Sequence, residues 1–152
     1  KGGSSGGTTS FLGIKEDEPI VMVRKACQRA IDENVVDLQR NYEEFRTKSP
    51  LVSVEPLTAY VGMKEGVTTK SKFEVLEVVE MENGKHKYNR VGVIEPIENL
   101  IWDNRFMAVE EGAQGATLGC TTFRKVSGKD FAKGMLIREM TNTLVRHIEL
   151  QL

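Results

Sequence analysis

The chain is poor in the residues that most often announce chemistry. Among 152 residues there are two cysteines, two histidines, one tryptophan and four prolines. Two cysteines, Cys27 and Cys120, are too few for the disulfide framework of a small secreted scaffold. His86 and His147 have no Cys, Asp or Glu at a ligand spacing, so neither a metal site nor a cofactor is expected. No run of about 18 apolar residues occurs, the length a bilayer-crossing helix needs. Neither sign of charge dominates: 21 Lys+Arg against 22 Asp+Glu give a formal net charge of -1. The general attraction of a basic chain for phosphate backbones and anionic membranes is therefore missing. No glycine run between a strand and a helix ends in Gly-Lys-Ser/Thr, which excludes a phosphate-cradling loop of that type, and Gly112–Gly119 reads as a turn or bulge.

What remains is ordinary globular material. Hydrophobic residues make up 39% of the chain, enough for one core without metals or disulfides. Residues 1–14 open with Gly2-Gly3-Ser4-Ser5-Gly6-Gly7 and read as a flexible linker, because such side chains contribute little against backbone ordering entropy.

Residues 15–48 read as a long amphipathic helix. Val23, Cys27, Ala30 with Ile31, Val35, Leu38, Tyr42 and Phe45 recur every three or four positions, forming one stripe. Asp17 suits the N-cap, Pro19 the first turn, and Arg46 and Lys48 the negative end of the helix dipole. Ser49-Pro50 supplies a stop, since a residue before proline leaves the helical region. A helix of about 30 residues spans about 45 Å, longer than a small barrel is wide. Part of its stripe should then need cover from a protein partner or from self-association.

From Val52 onward the character is β. Val52, Val54, Thr58, Tyr60 and Val61 form a β-branched and aromatic segment broken by Pro56. Lys72 to Glu80 is near-alternating, Asn83-Gly84 is a hairpin turn, and the strand through Tyr88 to Ile94 should be its returning partner. Leu100 to Val109, Ala116 to Val126 and Met135 to Arg138 read as further strands between glycine turns. The expected fold class is α+β: a long N-terminal helix packed on a small antiparallel β-barrel of five or six strands, with the barrel over 51–140. Residues 141–152 fit either a strand or a helix.

Two stretches carry a family likeness: Val61-Gly62-Met63-Lys64-Glu65-Gly66-Val67 with Lys72-Phe73-Glu74-Val75, and Lys133-Gly134-Met135-Leu136-Ile137-Arg138-Glu139. They resemble the small C-terminal barrel of flagellar assembly protein T and similar bacterial envelope domains. The resemblance implies a periplasmic or cell-surface binding module, and it supplies no catalytic residues.

For chemistry the most distinctive segment is Trp102-Asp103-Asn104-Arg105-Phe106. Trp102 could anchor a ligand or partner and Arg105 donate two parallel hydrogen bonds; structurally the same residues could form a turn with Trp102 closing the core. Cys27 and Cys120 could be buried free thiols, or pair if the helix lies on the strand that holds Cys120. Two further readings compete with a non-enzymatic scaffold. One is a hydrolase-like site assembled from Ser127, Asp130 and His147. The other is a nucleic-acid-binding barrel exposing Phe73, Tyr88 or Phe123, helped by Arg124, Lys125, Lys129, Lys133, Arg138 and Arg146.

Overall fold

The structure, a computed structural model of the chain, describes residues 18–42, 46 and 48–140. The linker over 1–14, the proposed cap Asp17, Phe45, His147 and the segment 141–152 lie outside the described residues. One helix, α1 (Pro19–Asn41), precedes six strands: β1 (Ser49–Val54), β2 (Leu57–Ala59), β3 (Phe73–Glu80), β4 (His86–Pro96), β5 (Thr121–Gly128) and β6 (Leu136–Glu139). They close into an antiparallel barrel in the order β1-β2-β5-β4-β3-β6, with β6 returning to β1.

The barrel follows from alternation. Leu51, Phe73, Val75, Ile94, Phe123 and Ile137 point inward and form one core with Leu57, Ala59, Val61, Val67 and Ile101. Phe73 and Phe123 meet edge to face at 5.3 Å between centroids, a favourable arrangement for two ring quadrupoles. Their burial corrects the expectation that they offer stacking platforms to nucleic acid. Among the three aromatics of that reading Tyr88 is exposed, and Lys48 sits 4.5 Å from its ring centre.

The hairpin at Asn83-Gly84 pairs the two expected strands, from Phe73 opposite Ile94 to Glu80 opposite His86, with a register shift between Val75 and Leu76. Pro56 interrupts the segment as expected: it turns the chain between β1 and β2, which pair with each other. Leu100–Val109 is no strand. Trp102 makes a single bridge to Gly62 and turns follow as far as Gly112. The reason is competition for backbone partners: Trp102 N–H donates to the Thr121 hydroxyl, and the Asp103 carboxylate receives the Arg105 N–H. Side chains thus take the groups a ladder would need. Likewise β5 begins only at Thr121, five residues after the expected Ala116, because Gly115 and Gly119 hold left-handed turns before it.

The helix is shorter than expected. It runs over 23 residues, Pro19–Asn41, with Pro19 in its first turn as expected and with Tyr42 already extended. Arg46 lies outside it, and Ser49-Pro50 opens β1 instead of closing a helix. The Asn41 side-chain amide donates to the Asp37 carbonyl, a local bond that satisfies a helix-end acceptor without continuing the helix.

Candidate functional site

The orientation of α1 is the main departure from expectation. An apolar stripe normally faces the core, yet Val23 is 63% exposed, Ile31 56% and Leu38 47%, with Val35 and Cys27 also exposed. Only Val36 on α1 is buried. The side turned to the barrel is mostly polar: Lys25, Gln28, Arg29, Asp32, Gln39 and Arg40 are half-buried along it.

Three contacts set this orientation. Near the N-terminus Lys25 and Arg29 both reach the carboxylate of Glu111, Arg29 at 2.8 Å, and Arg29 also donates to the Phe106 carbonyl at 3.2 Å. Near the C-terminus Arg40 donates to both carboxylate oxygens of Glu139 and to the Gly66 carbonyl at 2.9 Å. Between them Val36 rests on Gly66, where an added Cβ would stand 2.7 Å from Val36 Cγ1. Gly66 also holds a left-handed φ of +82°, so a side chain there would be strained as well as crowded. Lys25 and then Arg29 hold the Glu111 carboxyl below its ordinary 4.5, against the opposing effect of burial.

These contacts were missed in the sequence because the apolar periodicity decided the face. The signal that could have found them is the basic i, i+4 pair Lys25 and Arg29 on one side of the helix, with the acidic loop Glu110-Glu111 among the connections.

The segment Trp102–Phe106 lies beside the same junction. Asp103 is 2% exposed and accepts from Arg105 Nε at 2.9 Å and Nη2 at 2.8 Å. The Arg105 guanidinium lowers the Asp103 pKa, with burial opposing it. Asn104 accepts from the Lys64 N–H and donates to Glu65, both at 2.8 Å. The Trp102 carbonyl accepts from Met63 N–H at 2.9 Å. The polar groups of Asp103 and Asn104 are therefore engaged within the chain. The sequence-predicted residues are brought together, and Trp102 lines a hollow of about 480 Å³ with Tyr60, Met107, Val109 and Ala116 as well as the charged Lys64, Glu65, Arg105 and Glu110. Met107 holds a left-handed φ of 64°, an uncommon conformation for a residue with a side chain. A larger groove of about 660 Å³ separates α1 from the barrel, with Val36, Met63 and Ile101 along its floor.

Cys27 faces outward from α1 and Cys120 is half-exposed before β5; both thiols are free. This corrects the disulfide expectation and the expectation that Cys27 is buried, for the face of α1 that carries it turns away from the barrel. Ser127 lies in β5, and Asp130 follows it. Among the described residues no three His, Cys, Asp or Glu side chains gather where they could hold one metal ion. No described helix is long and apolar enough to cross a membrane. The expected basic face is partly neutralised, since Arg124 pairs with Glu95 and Arg138 with Glu74.

Comparison with family models, with curated proteins and with solved structures finds no match.

Proposed function

We propose that this chain is a non-enzymatic interaction module, a barrel that holds an amphipathic helix with its apolar face outward for a protein partner. One observation carries the reading. The helix is fixed through its polar side by Lys25, Arg29 and Arg40, so Val23, Cys27, Ile31, Val35 and Leu38 have no cover from the barrel. Fully burying one such aliphatic side chain contributes about 1.5–3 kcal/mol, and four of them together leave several kcal/mol available to association. A patch of this kind on a soluble surface marks an interaction site more often than a neutral face. The resemblance of Val61–Val67 and Lys133–Glu139 to bacterial envelope domains supports a periplasmic or cell-surface setting, as part of a larger protein.

Cys27 gives a direct test, because it sits within the stripe. In the dilute chain with Cys120→Ser, alkylation of Cys27 by a maleimide should proceed within a factor of about three of its rate in the denatured chain, as a low-dielectric cover would suppress thiolate formation and access. Alkylation slowed a hundredfold at every dilution would mean that the stripe is covered within the chain, and the interaction reading would fall.

A further inference from the structure

We infer that the groove between α1 and the barrel is a binding site for an organic polyamine, a molecule of ammonium groups joined by short methylene chains. This is the groove of about 660 Å³ over Val36, Met63 and Ile101, a size suited to a small ligand. It lies on the barrel side of α1, away from the stripe, so the inference goes beyond the interaction reading and does not depend on it.

The charge of the ligand follows from which groups are already engaged. Three arginines line the groove, and each is held by a carboxylate outside its lining: Arg29 by Glu111, Arg40 by Glu139 and Arg105 by Asp103. Asp32, Glu33, Asp37 and Glu98 also line it and form no ion pair among the described residues, so these carboxylates face only Lys64 as an unpaired lining cation. Asp32 Oδ2 is in addition buried without a hydrogen-bond donor, which a buried acceptor seldom lacks. Glu33 and Asp37 stand one turn apart on α1, about 6 Å, where like charges repel. A cation between them removes that repulsion.

The hydrogen bonds of the barrel wall narrow the class further. The backbone N–H groups from Met63 to Thr68 all donate within the chain: Met63 to Trp102, Lys64 to Asn104, Glu65 and Val67 to Gly62, Gly66 to Met63 and Thr68 to Ser71. A peptide laid along this wall would bring carbonyls with no backbone donor to meet them, and a phosphate would meet unpaired carboxylates. The lining donors left over are the Lys64 ammonium and the buried Arg29 Nε. An ammonium group only donates, and the groove offers mainly acceptors. Val36, Val67 and Ile101 are buried beneath them, an apolar floor on which the methylenes of such a chain can lie while its charged groups stay at the carboxylates.

Calorimetric titration of the full chain with spermidine at low salt reads the site, and saturable one-to-one binding is expected. Glu33, Asp37 and Glu98 are exposed, so their amide variants leave the fold in place. Glu33→Gln with Asp37→Asn should weaken binding about tenfold, and Glu98→Gln on the facing wall about threefold. Glu77→Gln with Glu80→Gln removes as much charge from the β3–β4 hairpin and should leave the affinity within about twofold. Absence of saturable binding would overturn the inference while leaving the interaction reading intact. Equal weakening by the hairpin pair would show diffuse attraction in place of a site, and full affinity in Glu98→Gln would show that the ligand does not span the groove; either overturns it. A Lys-Gly-Lys peptide that binds more tightly than spermidine would make a protein segment the occupant and overturn it as well.

Discussion

Glu74 shows how one residue can carry both the barrel wall and its pH dependence. It is 6% exposed on β3, directly opposite Arg138 of β6 and one diagonal from Arg90 of β4. Arg90 donates to one of its oxygens at 2.9 Å and Arg138 to the other at 2.6 Å. Burial alone would raise its pKa, but the hydrogen bonds from Arg138 and Arg90 outweigh that and hold it below the ordinary 4.5. The folded carboxyl is therefore the stronger acid, and its contribution to stability is full above the unfolded value and lost as pH falls through the folded one. Stability measured by urea unfolding should thus decline as pH drops below about 4.5. Glu74→Gln should cost about 3 kcal/mol at neutral pH, because it leaves Arg138 half-buried beside a neutral group, and should flatten the acid limb. A variant that loses stability at pH 7 yet keeps the same acid limb would assign the pH dependence elsewhere.

At the scale of elements, α1 is held by charge more than by apolar contact, and this explains what the sequence could and could not convey. The periodicity that identifies a helix from Val23 to Leu38 is a property of the chain alone, so the helix is legible. The face it docks with depends on residues far away, Glu111 and Glu139, whose positions follow only from the closed barrel. The hairpin at Asn83-Gly84 was legible for the opposite reason, since its register is set locally by the turn and the alternating strands beside it. Trp102–Phe106 was legible as a distinctive cluster, but not as one whose polar groups are engaged by Gly62–Glu65 and Thr121 on either side of it. Glu111→Ala should free the first half of α1 while leaving the barrel intact. Amide hydrogen exchange over residues 22–31 should quicken about fivefold, the equivalent of about 1 kcal/mol, with Phe73–Leu76 unchanged. Equal protection in the two proteins would show that Lys25 and Arg29 do not hold the helix.

At the scale of the whole molecule, the barrel interior and the helix stripe are separate apolar surfaces. Leu51, Val75, Ile94 and Ile137 fill the first almost completely, whereas Val23, Ile31 and Leu38 of the second remain largely open. The barrel core is filled without any contribution from the stripe. The most direct measurement is the unfolding free energy of Ile31→Asp beside that of Val36→Asp, each compared with the natural chain at a concentration where the mass is that of one chain. Ile31→Asp should change stability by no more than about 1 kcal/mol, as at other exposed positions, while Val36→Asp should cost about 2–4 kcal/mol through a charge placed against Gly66. If Ile31→Asp proves as destabilising as Val36→Asp, the stripe is buried within the folded chain and the outward-facing helix is wrong.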